Sequence, residues 1–124
     1  MDEVRDRWQE AVADPGVRVV VAEAEAQPVG LAAVRRDWLD GLYVVPEQWG
    51  TGLADALHDR ALSLAVELGS KSCRLWVLEH NARARRFYER RGWSANGDTR
   101  VVPFPPNPID VGYSIDLDSR MATP

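Results

Sequence analysis

Between Gly52 and Leu68 the apolar residues Leu53, Ala54, Leu57, Ala61, Leu64, Ala65 and Leu68 recur at spacings of one, three and four. That rhythm predicts a long helix with one apolar stripe, and Gly69 stands where a left-handed residue would end it. The stretches around it are short, and the first is rich in β-branched residues. Val17–Glu23 and Val29–Arg35 read as strands joined by a turn, and Trp38–Val45 as a third strand that Pro46 ends. Ser72–Leu78 is a fourth, with Cys73, Leu75 and Val77 on one side. A second helix is predicted over Asn81–Arg91, with Asn81 as its cap, Ala84, Phe87, Tyr88 and Arg91 on one face, and Gly92 after it. Two more strands fall near Thr99–Val102 and Val111–Leu117, separated by an extended loop over Pro103–Pro108. At the start, Val4, Trp8, Ala11 and Val12 predict a short helix over Val4–Ala13 that Asp14, Pro15 and Gly16 stop. The strand–helix–strand unit in the middle implies a parallel strand pair, and hairpin partners around it make the sheet mixed.

Bulk properties narrow the field. The 124 residues suit one domain, 1–124, with 45% hydrophobic and 27% charged residues. A formal net charge of -4 disfavours a nucleic-acid partner. The apolar runs are far shorter than a membrane span of about 20 residues, and no apolar leader follows the charged start. A cytoplasmic protein with no membrane partner is expected. The single cysteine, Cys73, has no second cysteine to pair with and reads as core. With two histidines besides, His58 expected exposed in mid-helix and His80, no metal site is expected.

Two stretches carry chemistry. In the first, the third strand runs through Leu42, Tyr43 and Val44, turns at Pro46 to Trp49, passes Gly50, Thr51 and Gly52, and enters the helix at Leu53, Ala54 and Asp55. A helix start leaves backbone N–H groups without helical partners, the dipole adds partial positive charge, and glycines let a phosphate come close. A diphosphate-binding turn and a plain strand-to-helix turn both fit this pattern. The missing Lys of a P-loop and the absence of Gly-x-Gly-x-x-Gly spacing disfavour nucleotide hydrolysis and dinucleotide binding. In the second stretch, Asn81, Ala84, Phe87, Tyr88, Gly92 and Trp93 follow the fourth strand directly.

Taken together, Leu42, Val44, Pro46, Trp49, Gly52 and Ala54, then Asn81, Ala84, Phe87, Tyr88, Gly92 and Trp93, resemble the paired signatures of the GNAT acetyltransferase superfamily. The resemblance covers roughly Val17 to Leu117. It implies an α/β (α+β) fold: a mixed, mostly antiparallel sheet with a central parallel strand pair and flanking helices, the family's first strand and helix missing. It implies acetyl-CoA as co-substrate and a primary amine of a small molecule or peptide as acceptor, acetylated by direct attack. By that resemblance, the main chain of Leu42, Tyr43 and Val44 meets pantetheine and the acetyl carbonyl, and the backbone over Gly50, Thr51, Gly52, Leu53, Ala54 and Asp55 holds the pyrophosphate. Asn81 contacts the cofactor arm, and Tyr88 protonates the leaving thiolate. Glu79 is one candidate for the base, beside Glu23, Asp37, Asp40 and His80. Trp49 departs from the usual Gln or Arg, which shifts pyrophosphate binding toward backbone. Such small domains often form a homodimer through their last strands, here Val111–Leu117. A non-catalytic acyl-CoA sensor is the alternative. Arg83, Arg85, Arg86, Arg90 and Arg91 read mainly as a solvated face, with Arg85 or Arg86 able to meet the ribose phosphate.

Overall fold

The computed structural model describes residues 8–11 and 16–117. The chain divides into two compact units, Met1–Lys71 and Ser72–Pro124.

In the first unit four strands pair antiparallel in chain order: β1 (Trp8–Ala11), β2 (Val17–Ala24), β3 (Gln27–Arg35) and β4 (Trp38–Val44). A 3-10 turn (Pro46–Gln48) then leads to helix α1 (Leu53–Glu67), which packs on β2, β3 and β4. Alternation decides which side chains meet it. Val20, Ala22, Ala32, Val34, Leu39 and Val44 are buried, while Leu31 and Tyr43, which pair across β3 and β4, are exposed. The helix contributes Leu53, Leu57, Ala61, Leu62, Leu64 and Ala65 to the core. At its end Gly69 adopts φ +92°, and the Ser70 N–H donates to the Ala65 carbonyl at 3.0 Å, so the last carbonyls find partners.

Two expectations need correction here. Trp8–Ala11 is a strand, not part of a helix: it pairs with β2, Trp8 opposite Ala22 and Ala11 opposite Val19. A helix of about ten residues is marginal by itself, and the edge of β2 offers these four a ladder of backbone partners. The remainder of the expected Val4–Ala13 helix lies outside the described residues. His58 is fully buried in α1 rather than exposed, and its Nδ1 lies 3.0 Å from Asp59 Oδ1. The apolar stripe is wider than the leucines and alanines alone suggest.

The second unit holds β5 (Ser72–Leu78), helix α2 (Ala82–Arg90), β6 (Ser94–Val101) and β7 (Ile109–Asp116). Strand β7 pairs antiparallel with both β5 and β6. Cys73, Leu75, Val77, Trp93, Tyr113, Ile115 and Leu117 form its core. Strand β6 starts five residues earlier than Thr99, where its register to β7 shifts between Ala95 and Thr99. Every residue of β6 is exposed, which is why its first half shows no apolar alternation.

Gly30 explains how closely α1 approaches the sheet: a Cβ there would lie 2.6 Å from Leu57 Cδ1 and 3.3 Å from Leu53 Cδ2. Gly41, on the neighbouring strand, has nothing within 4 Å of such a Cβ. Gly30→Val is therefore expected to lower unfolding free energy by about 1–3 kcal/mol, and Gly41→Ala to change it by less than about 0.5 kcal/mol. Urea denaturation of the two variants measures both; equal effects would show that α1 does not depend on the missing side chain.

Candidate active site

In the first unit the candidate residues begin at the end of β4. The Val45 N–H donates to the Val29 carbonyl at 3.0 Å, which makes that opposed pair a hydrogen-bonded one. Such pairs alternate along an antiparallel ladder. Tyr43, opposite Leu31, therefore directs its main chain at β3, and Leu42 and Val44 direct theirs away from it. Of the three strand residues expected to meet a ligand through their backbone, Leu42 and Val44 have the required direction and Tyr43 does not.

Trp49 is held by its indole N–H, which donates to the Val44 carbonyl at 3.0 Å. Its usual family counterpart is polar; this indole instead fastens the turn to the strand end, and its ring stays half-exposed. Pro46–Gln48 forms the 3-10 turn, with the Trp49 N–H on the Pro46 carbonyl at 3.1 Å. Gly50 and Gly52 follow at φ +80° and +89°, conformations that L side chains resist. Between them the Thr51 hydroxyl donates to the Gln48 carbonyl at 2.6 Å.

Gly52 is the N-cap of α1 and supplies no side chain to its amides. The first helical bond belongs to Ala56, whose N–H meets the Gly52 carbonyl at 3.1 Å. The Leu53 N–H reaches Thr51 Oγ1 only at 3.4 Å, a weak contact. A Cβ at Gly50 or Gly52 would meet nothing within 4 Å, so the space above the helix start is open. Open space over amides at the positive end of a 15-residue helix fits an anion such as a diphosphate. Asp55, in the first turn, opposes that charge.

The other candidate residues lie in the second unit. Asn81 caps α2, accepting from the Ala84 N–H through Oδ1 at 3.1 Å, as its position suggests. Tyr88, on the inner face of the same helix, is buried, with the Phe87 and Trp93 rings edge-on at 5.2 and 5.6 Å. Its hydroxyl makes no hydrogen bond among the described residues. Burial pushes the phenol up to about 12, Arg91 pulls it back and Cys73 adds to the rise. Tyr88 is thus neutral, and a proton donor, across the physiological range.

Glu79 leaves β5 with its N–H on the Ile109 carbonyl at 2.8 Å, and its carboxylate lies 3.7 Å from His80 Nε2. It borders an open cavity of about 370 Å³ with His80, Ala82, Arg85, Arg86 and Glu89. Tyr88 is not among the residues that line that cavity.

Some features were not visible in the sequence. Tyr113 of β7 accepts from Arg85 Nε at 2.9 Å and donates to Glu89 Oε2 at 2.6 Å. Only the i, i+4 spacing of Arg85 and Glu89 hinted at a shared edge. Arg85 and Arg91 are not a solvated face: Arg91 lies over the Phe87 ring at 3.5 Å and donates to the Phe87 carbonyl at 2.7 Å. Trp76, on β5, is covered by the Arg100 guanidinium at 4.6 Å, which Asp110 fixes at 2.9 Å.

The chain belongs to the acetyltransferase (GNAT) family, whose family model matches residues 1–93. It is 34% identical over 96 residues to an uncharacterized N-acetyltransferase of Mycobacterium tuberculosis strain H37Rv, covering 73% of this chain and 62% of that protein. It is 30% identical over 99 residues to the peptidyl-lysine N-acetyltransferase YjaB of Escherichia coli K12, covering 80% of this chain and 63% of that one. The chain thus spans about three fifths of the length of these curated relatives. Among solved structures, nourseothricin acetyltransferase superposes with a TM-score of 0.75 at 24% identity, over 86% of this chain and 69% of that one. A Bacillus anthracis acetyltransferase crystallised with acetyl coenzyme A gives 0.73 at 16% identity, over 85% and 65%. At these identities the likeness shows the fold: mixed α/β, mostly antiparallel, of the GNAT kind.

A phenol raised from 10 to about 12 on folding holds its proton more tightly in the folded chain. Its contribution to stability is complete below pH 10 and is lost as pH rises toward 12. Unfolding free energy is expected to fall by about 2–3 kcal/mol over that window, and Tyr88→Phe to lack that component. Urea denaturation at pH 9 to 12 compares the two; identical slopes would remove Tyr88 as the source.

Proposed function

We propose that this protein transfers the acetyl group of acetyl-CoA to a primary amine of a small molecule or peptide, by direct attack in a ternary complex. Family membership supports the chemistry, and the relative named a peptidyl-lysine N-acetyltransferase supports an amine acceptor. The observation that carries the reading is Tyr88: a neutral phenol in an apolar setting, on a helix that Asn81 caps.

In this reading the amides of Gly50, Gly52 and Ala54 at the start of α1 take the pyrophosphate. The outward main chain of Leu42 and Val44 takes the pantetheine arm, and a β4 N–H polarises the acetyl carbonyl. The amine nitrogen forms its bond to the carbonyl carbon, and the carbon–sulfur bond breaks. The nitrogen gives up one proton and the sulfur gains one. A thiol ionises near about 8.5, so complete transfer from a phenol at about 12 is uphill by roughly 5 kcal/mol. Tyr88 is suited to donate a hydrogen bond to sulfur while charge builds there, and the proton that leaves nitrogen ends on the thiolate. Glu79, exposed at the helix entry, is a base for the incoming ammonium through water rather than by contact at the sulfur. A cytoplasmic location belongs to the same proposal, whereas the expected homodimer through Val111–Leu117 is not available to that segment: β7 is paired on both sides, and Tyr113, Ile115 and Leu117 are buried.

The test is calorimetric titration of acetyl-CoA into wild type and Tyr88→Phe, followed by thiol release with a panel of primary amines. Similar affinity in both, with release slowed about 10²- to 10⁴-fold in the variant, is expected. Because Tyr88 stays protonated, wild-type release should show no decline attributable to it below about pH 11. Binding without release for any amine would replace this reading with that of an acyl-CoA sensor.

A further inference from the structure

Arg85 holds the connection between β5 and α2 at three points. Its backbone N–H meets the Asn81 carbonyl at 3.0 Å, and Nη1 donates to the Glu79 carbonyl at 2.9 Å. Its Nε donates to the Tyr113 hydroxyl at 2.9 Å, which links the helix to β7. Tyr113 is fully buried, and its hydroxyl passes the contact back to α2 by donating to Glu89 Oε2 at 2.6 Å. The Glu79 N–H is held from the other side by the Ile109 carbonyl at 2.8 Å, at the start of β7. The loop is therefore tied on both flanks, and one phenol joins two residues a helical turn apart. Arg86 and Arg90, on the same helix, are exposed.

Chemistry explains why an arginine stands here. A planar guanidinium presents Nε and Nη1 in fixed directions, so it can meet a carbonyl and a phenol together; an ammonium has no such fork. Burial raises the Tyr113 phenol first and the Glu89 hydrogen bond adds to it, while Arg85 lowers it. Tyr113 thus remains a neutral donor to Glu89.

We propose that Arg85, acting through the Glu79 carbonyl and Tyr113, is a positioning residue that fixes the start of α2 and with it the Tyr88 side chain three residues further on. The proposal rests on the acetyl-transfer reading for what Tyr88 does, not for the clamp itself. Arg85 touches no reacting atom; it determines where the residue that does so is held.

The experiment uses the full chain, with ¹³C-labelled tyrosine, as wild type, Arg85→Met, Arg85→Lys and Tyr113→Phe. Amide hydrogen exchange and the Tyr88 ring signal are read by NMR, and acetyl-CoA turnover alongside. In Arg85→Met, exchange over residues 82–90 is expected to rise about tenfold with α1 unchanged, and the Tyr88 signal to move. The kcat is expected to fall about tenfold, with KM for acetyl-CoA within about threefold. Arg85→Lys, which keeps the charge, restores less than half of the lost kcat if the fork matters. Tyr113→Phe repeats the effect with Arg85 intact and carries the test if Arg85→Met does not fold. Unchanged exchange and an unmoved Tyr88 signal in Arg85→Met or Tyr113→Phe would overturn the clamp. Altered exchange with wild-type kcat, while Tyr88→Phe is slow, would overturn the positioning role. Wild-type turnover in Tyr88→Phe would instead sink the role of Tyr88, and the exchange data would still decide the clamp.

Discussion

A helix that follows a strand begins with amides its own backbone cannot satisfy, and the two helices here meet that constraint in opposite ways. At α2 the chain supplies Asn81, whose side chain accepts from the Ala84 N–H at 3.1 Å. At α1 it supplies Gly52, which has no side-chain acceptor to offer, and a threonine oxygen only at 3.4 Å. A good N-cap in place of glycine is worth a few tenths of a kcal/mol. The first helix leaves that gain unused and keeps its positive end open; the second takes the cap and becomes a fixed mount. One is suited to receive an anion, the other to hold a side chain steady.

The glycine turn shows how the open end is kept in place without filling it. Gly50 and Gly52 reverse the chain with left-handed backbones, and the Thr51 hydroxyl ties the turn to Gln48. Trp49 completes it by bonding the last carbonyl of β4, so the strand end and the turn act as one piece. A large aromatic at this point serves the scaffold, which leaves any phosphate to backbone groups. The tension is with Asp55, which suits the helix dipole but repels an anion. Anion affinity at this turn then depends on the amides outweighing one exposed carboxylate.

Much of this was legible in the amino-acid order because it is local. The spacing of Leu53, Leu57, Ala61 and Leu64 sets α1, Asn81 ahead of Ala84 sets the cap of α2, and the alternation of Cys73, Leu75 and Val77 sets the buried side of β5. What was not legible depends on partners distant in the chain. Trp8–Ala11 has a helical spacing of apolar residues, yet the edge of β2 decides its state. His58 reads as a polar residue on a helix, and only packing shows it buried. Tyr113 lies 28 residues from Arg85, and nothing in either neighbourhood points to the other. The site residues split in the same way. Gly50, Gly52 and Asn81 show their backbone requirements in the sequence, whereas the main-chain direction of Tyr43 follows from a hydrogen-bonding parity that sequence does not display.

The same distinction bears on the basic helix. Five arginines between positions 83 and 91 look alike in sequence, and a solvated face is the economical description. The structure separates them by what each guanidinium can reach. Arg85 finds a carbonyl and a phenol, Arg91 finds an aromatic ring and a carbonyl, and Arg86 and Arg90 stay in solvent. Arg85 and Arg91 flank Tyr88 on either side along the chain, and each also touches backbone. Arg91 additionally keeps the Tyr88 phenol from rising further. On the proposed reading Tyr88 needs its direction fixed and its acidity kept from falling further, and these two arginines address one requirement each. That division of labour accounts for arginine rather than lysine at both places, since a carbonyl and a second partner must be met together by one rigid group.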